Sequence, residues 1–295
     1  FSTEVTTQRG GVLVERTLTW GGADKMDSAH TGKAVSGPQS DWYFADGDAR
    51  TFDTYLLFAN TSATPVNVDV TYLLDDGEAV RETYVVAGNV RRTIYTNNVP
   101  GLLNKSFSMS VHASAPINAE RAMYFSLGDA FYKCGTDSSG VEAPSTQWFI
   151  AEGHASATFS EYILLSNPNP SATTATIRFL RPSGPVITQD YTLTPNSRKT
   201  IYVNQVPGLE YTDVSASITA TQPVVAERSM YWPGQWGEWY EGHNSTALSA
   251  IGTSWGLAEG ETGGSRNTVS YILMANPTDQ DAAVTVTHAP TLESL

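Results

Sequence analysis

Between residues 148 and 254 the apolar and β-branched residues come in seven short runs, at 147–151, 159–166, 173–180, 186–193, 198–203, 212–220 and 223–232. Each run is rich in Val, Ile, Thr, Tyr or Phe and too short for an average helix, so each reads as a β-strand. Polar clusters separate them: "NPNPS" at 167–171, "RPSGP" at 181–185 and "TPNS" at 194–197. Proline presets φ in such turns, and Asn or Gly tolerates the tight positions. "VPGL" sets Pro before Gly, the pairing of a type II turn.

The same pattern returns along the chain. "DWYFADG" (41–47), "QWFIAEG" (147–153) and "SWGLAEG" (254–260) align on Trp42, Trp148 and Trp255. "TYLLFAN" (54–60), "EYILLSNP" (161–168) and "SYILMANP" (270–277) follow at matching distances, and "RRTIYTNNVPGL" (91–102) matches "RKTIYVNQVPGL" (198–209). The unit is about 107 residues, and seven strands in that length predict an immunoglobulin-like sandwich, without the Cys…Trp…Cys spacing of antibody domains. The expected organisation is all-β, a tandem array of β-sandwich repeats. Residues 1–41 hold the last strands of a partial repeat and a connector, 42–147 and 148–254 are full repeats, and 255–295 holds the first strands of another. Leu295 corresponds to Val186 and Phe1 to Val214, so about 27 residues of a unit are missing between the two ends.

One charged phrase recurs with the unit: "VERTLTW" (14–20), "AERAMYF" (119–125) and "AERSMYW" (226–232). The pairs Glu15–Arg16, Glu120–Arg121 and Glu227–Arg228 therefore belong to the scaffold rather than to a reaction. No nucleophile or second acid recurs beside them, as a two-carboxylate mechanism demands. Alternation along a strand puts Ala226, Arg228, Met230 and Trp232 on one side and Val225, Glu227, Ser229 and Tyr231 on the other. Asn118 stands where the second repeat has Val225, which predicts solvent on the Glu227 side. Arg121 and Arg228 are then expected toward the sandwich edge or core, each finding a carboxylate or carbonyl.

Composition narrows the function. Charged residues are 16 % of the chain, against roughly 25 % in average soluble domains. The net charge of −13 and pI near 4.7 argue against a nucleic-acid partner. No apolar run is long enough to span a bilayer. The chain starts at Phe1 with no signal peptide, as expected of a mature or excised fragment. Its single cysteine, Cys134, allows no internal disulfide and is read as free or intermolecular.

No cofactor is called for. Asp46, Asp48, Asp75 and Asp76 fit no calcium-loop spacing and read as acidic turns. His30, His112, His154, His243 and His288 show no zinc spacing, and His154 and His243 are expected on the surface. Neither a nucleophile elbow nor a Gly-rich phosphate loop is present. "PGQWGEWYEG" (233–242) reads as a connecting loop whose Trp236, Trp239 and Tyr240 are candidates for an interface or a glycan contact. Sequons at Asn60, Asn104 and Asn244 imply surface loops if the host glycosylates.

"GTDSSGVEAPSTQWFIAEG" (135–153), "YILLSNPN" and "VVAERSMYW" together resemble a large-repeat family of secreted bacterial proteins, with a tryptophan–Ala-Glu-Gly opening and an Ala-Glu-Arg ending. The resemblance covers nearly the whole chain. It implies immunoglobulin-like modules and an extracellular or cell-surface location, and it carries no chemistry. "ADG" at 45–47 and "VERTLTW" depart from the usual motifs. Three readings follow: a non-enzymatic structural subunit polymerising head-to-tail, an adhesin or glycan-binding arm, and a non-catalytic spacer of a larger secreted hydrolase. Under the first, Val12, Val14, Leu18 and Trp20 at one end and Tyr271, Leu273 and Val284 at the other are strand residues awaiting partners in a neighbouring subunit.

Overall fold

A computed structural model describes residues 1–21, 28–127, 130–233, 239–263 and 267–288. These residues form antiparallel β-structure with two single-turn 3-10 segments and no α-helix. Strands β1 (Glu15–Trp20) and β2 (Ser28–Lys33) pair with each other at the start. The first full repeat contains β3 (Gln39–Phe44), β4 (Asp53–Asn60), β5 (Val66–Leu74), β6 (Ala79–Val86), β7 (Val90–Tyr95), β8 (Phe107–Leu127) and β9 (Ala130–Ser139). The second contains β10 (Ser145–Ile150), β11 (His154–Ala155), β12 (Ser160–Asn167), β13 (Thr173–Leu180), β14 (Ile187–Leu193), β15 (Ser197–Tyr202), β16 (Thr212–Asp213), β17 (Ser215–Pro233) and β18 (Trp239–Thr246).

The two repeats have one topology. Strand order is β6-β5-β8-β4-β7 with β3 and β9 also on β8, and β14-β13-β17-β12-β15 with β10 and β18 also on β17. The long strand organises each unit. The first half of β8 pairs with β5 and β3, and its second half with β4 and β9. Side chains from both halves enter one core: Trp42, Leu56, Phe58, Val70, Phe107 and Met109 in the first repeat. The sheet therefore curls onto itself around a shared interior. Full burial of such side chains contributes about 1.5–3 kcal/mol each, which makes this clustering the main stabilising term. A buried indole N–H needs an acceptor. Trp42 Nε1 donates to the Ile117 carbonyl and Trp148 Nε1 to the Val224 carbonyl, both at 2.8 Å, tying the repeat motif to its central strand.

The turns follow from their residues. Gly101 and Gly208 in the two "VPGL" stretches both sit at φ +89, the left-handed region a type II turn requires. Asn60 and Asn167 end β4 and β12 with their side-chain amides donating to carbonyls across the next loop, at Thr64 and Val86 and at Ser171 and Thr194.

Several strand expectations need correction. The runs at 212–220 and 223–232 are not two strands around a turn: Ser215–Pro233 is continuous. Pro223 falls between the pairing with β13, which ends at Ala220, and the pairing with β12, which begins at Val225. Its missing N–H therefore breaks neither ladder. The expected connectors near Cys134 and at 233–242 contribute the outer strands β9 and β18. Val12 and Val14 precede β1, which begins at Glu15. Described residues from 255 to 288 form no strand, so Tyr271, Leu273 and Val284 are exposed without a ladder. A three-stranded start lacking its long central strand has nothing to close its core.

Candidate functional site: the joint between repeats

The recurrent Glu–Arg phrase lies where the repeats meet. Alternation along β17 gives Val225, Glu227, Ser229 and Tyr231 a common face, as expected, but that face does not see solvent. All four are buried, because the first repeat covers them. Glu227 Oε2 accepts from Arg121 Nη1 at 2.7 Å, and Glu227 Oε1 accepts from the Ala45 backbone N–H at 2.7 Å. Arg121 Nη1 also donates to the Asp46 carbonyl at 2.8 Å and Nη2 to Ser138 Oγ at 2.8 Å. The arginine of one repeat thus holds the glutamate of the next, and the "ADG" turn supplies the second donor. Glu227 and Arg121 are 1 % and 0 % exposed, so the pair is fully withdrawn from water.

Apolar contacts surround the ion pair. Tyr231 packs with Phe52, Met123, Phe125 and Cys134 of the first repeat, and Leu164 and Val225 pack on Ala45. Ser229 Oγ donates to Asp46 Oδ2 and Ser108 pairs with Ser166 at 2.8 Å. Cys134 is a free buried thiol, which removes the intermolecular-disulfide reading.

The joint occurs twice. Arg16 Nη1 donates to Glu120 Oε2 at 3.0 Å, one repeat before Arg121 and Glu227. Ser139 Oγ donates to the Lys33 carbonyl, and Thr246 Oγ1 to the Ser139 carbonyl. Trp20 meets Tyr124 edge-on at 5.5 Å, as Phe125 meets Tyr231 at 6.0 Å. Three contact types repeating together fix one stacking geometry. The first joint is wetter: Arg16 is 50 % and Glu120 35 % exposed. There Asp137 adds a second carboxylate, bound by Arg16 and by His30 Nδ1 at 2.6 Å, so His30 is buried rather than superficial. A hollow of about 410 Å³ remains beside β1, lined by Leu18, Trp20, Tyr55, Leu57 and Tyr124. Leu57 and Tyr124 occupy the positions of Leu164 and Tyr231, which are covered at the second joint.

Electrostatics separates Arg121 from Arg228. Burial pulls the Arg121 guanidinium down, but Glu227 and Asp46 outweigh it and hold it above its usual value. Burial raises Glu227 despite the opposing pull of Arg121. Arg228 is lowered, because burial there exceeds the attraction of Glu152 and Glu161. Its Nη2 donates to Glu152 Oε2 at 2.8 Å and to Ser245 Oγ at 3.1 Å and lies 2.9 Å from His243 Nδ1, but Nη1 has no hydrogen-bond partner among the described residues. Glu161, where the first repeat has Thr54, is pushed up to about 8 by burial, with Arg228 opposing and Glu152 reinforcing the shift. His243 therefore contacts a buried arginine on β18 rather than lying in a polar loop.

The remaining candidates are placed as follows. Trp236 lies outside the described residues. Trp239 is on β18, stacked on Tyr231 at 4.6 Å and edge-on to Tyr162 at 5.9 Å, so its ring serves packing. Tyr240 follows it, half-buried. Asn60 and Asn244 are buried and hydrogen-bonded, Asn244 Nδ2 to Ser229 Oγ, and cannot carry a glycan in this fold; Asn104 is exposed at φ +62. The Asp48 carboxylate accepts from the Arg50 and Thr51 backbone and from Ser106, while Asp76 accepts from the Glu78 N–H and Asp75 pairs with Arg198. Among the described residues no three His, Cys, Asp or Glu side chains are grouped to hold a metal, and no helix is long and apolar enough to cross a membrane.

The missed feature is that Glu and Arg act across units. The signal was present in the spacing: a strand pair offset by one repeat, with side chains on opposite faces, can reach both neighbours. Comparison with known proteins adds little. No family model matches the chain, and no curated protein does. The crystal structure of Thermotoga maritima 1070 is similar at 15 % identity and TM-score 0.34, covering 37 % of this chain and 98 % of that one. The Anabaena sensory rhodopsin transducer is similar at 17 % identity and TM-score 0.27, covering 30 % of this chain and 91 % of that one. Likenesses this distant carry no functional conclusion.

Proposed function

We propose that the protein is a non-enzymatic structural protein, a stack of immunoglobulin-like repeats forming part of an extracellular filament or surface layer. The observation that carries this reading is the repeated joint. Arg16–Glu120 and Arg121–Glu227 hold successive units in the same way, and a unit that binds its successor as its predecessor bound it propagates in one direction. Arg16, Glu120, Arg121 and Glu227 of the repeated phrase are taken up in this packing. The acidic, cysteine-poor composition and the resemblance to secreted repeat proteins support the location.

A glycan-binding arm is the second reading, and the stacking of Trp239 on Tyr231 weighs against it, since one face of the ring is already taken by packing. Immunogold labelling of intact source cells tests the proposal. Label along surface fibres or across the surface supports it. Label only after lysis overturns it, and specific glycan-array binding lost in Trp239→Ala favours the second reading.

A further inference from the structure

Residues 255–260 sit on β1 as residues 42–47 sit on β17. Aligning the repeat phrases makes Glu259 the counterpart of Asp46, and Thr17 the counterpart of Ser229. Ser229 Oγ donates to Asp46 Oδ2 at 3.1 Å across the internal joint, and Thr17 Oγ1 donates to Glu259 Oε2 at 2.7 Å. The apolar neighbours match as well. Tyr43 packs against the cluster of Ala45, Leu164 and Val225. The counterparts of Tyr43 and Val225 are Gly256 and Leu13, which lie so close that a Cβ on Gly256 would overlap Leu13 Cδ1. Two separate contacts in the same relative places make this a clasp that copies the internal joint.

The clasp differs from the internal joint in order. At the internal joint the covering segment comes before the strand it covers, Asp46 before Ser229; in the clasp it comes after, Glu259 after Thr17. Within one chain the clasp therefore runs against the direction in which Arg16 holds Glu120 and Arg121 holds Glu227. Resting on the structural reading above, we infer that the clasp is exchanged between copies of this chain. Residues 255–260 of one copy cover β1 of the next, and the contact inside a single chain is the self-capped form of the same joint. Supplied by a second copy, the clasp runs in the direction of the other joints.

Exchange needs little beyond a hinge, because the same contacts form in both states. Residues 249–254, which lead from the second repeat into the clasp, are exposed and outside any ladder. The clasp itself is small. Ala45 and Asp46 are buried at the internal joint, whereas Ala258 and Glu259 are exposed. The hollow lined by Leu18, Trp20 and Tyr124 also stays open beside β1. A segment with so few buried contacts opens at low cost. Inside one chain the two partners meet at a fixed effective concentration. The self-capped form therefore dominates in dilute solution, and exchange takes over as protein concentration rises.

The test uses full chains. Thr17 and Glu259 are both exposed, so cysteines there leave the core intact. Thr17→Cys combined with Glu259→Cys, treated with a short bismaleimide in dilute solution, is expected to give a monomer cross-linked between 17 and 259, as located by peptide mass spectrometry. That locked monomer is expected not to assemble where the parent does. Thr17→Cys chains mixed with Glu259→Cys chains are expected to give cross-linked dimers of the two, in a yield that rises with protein concentration. The parent, whose one thiol is the buried Cys134, is the blank. No 17–259 cross-link at any concentration, or no mixed dimer in solutions where the parent assembles, overturns the exchange and leaves the structural reading standing. A locked monomer that assembles as the parent does has the same consequence. A parent that stays monomeric at the highest soluble concentration overturns both.

Discussion

Truncating Glu227 should damage the protein far more than truncating Glu120, although both occupy the same place in the repeat. In Glu227→Ala, Arg121 stays fully buried and keeps as hydrogen-bond acceptors only the Asp46 carbonyl and the Ser138 hydroxyl, with the Asp46 carboxylate as its remaining nearby charge. Removing one member of such a pair leaves an uncompensated buried charge and costs about 3–5 kcal/mol. The Ala45 N–H also loses its acceptor, which places the loss toward the upper end of that range. In Glu120→Ala the partner Arg16 is half exposed and retains Asp137, so water replaces what is lost and the cost is about 1 kcal/mol or less. Urea unfolding of the full chain, followed by tryptophan fluorescence, measures both, since Trp42 and Trp148 are core reporters. Arg121→Met with Glu227→Leu should recover most of the loss, because a buried ion pair and an apolar pair of similar volume are close in free energy. Equal costs for Glu227→Ala and Glu120→Ala, or a cost below about 1 kcal/mol for the former, would refute the reasoning.

Two further outcomes follow from buried titratable groups. Glu161 holds its proton in the folded state up to about pH 8, whereas an unfolded glutamate releases it near 4.5. The folded state therefore binds more protons across that window, and stability of the second repeat should fall as pH rises from about 4.5 to 8. Glu161→Gln should flatten that slope in the urea midpoint, and an unchanged slope would assign it elsewhere. Cys134 is buried in the joint, and burial raises its thiol well above the usual range. It should resist a thiol reagent in the native protein at neutral pH and react fully in urea; rapid native labelling would mean that the joint opens.

Much of the fold was legible because strands and turns are local. Alternating β-branched runs and Pro-Gly or Asn-Pro turns placed β10, β12, β13, β14 and β15 within a residue or two. The long central strand was not legible, since Pro223 looks like a break until the change of partner from β13 to β12 is known. The outer strands β9 and β18 were hidden by Gly and charged residues that only a paired edge tolerates. Which face of β17 is buried could not be read from alternation either. Period two separates Glu227 from Arg228, but only the packing of the next unit decides that both sides are dry. The ends were read as strands because their sequences are strand-like; ladders need a partner, and the described residues between 255 and 288 find none among the described residues.

Electron microscopy of the purified full chain across a concentration series tests the central claim most directly. If each unit holds its successor through the same arginine–glutamate joint, unbranched filaments one repeat wide should appear as concentration rises. Isolated particles of one chain's mass at every concentration, or closed rings in place of open filaments, would contradict the account.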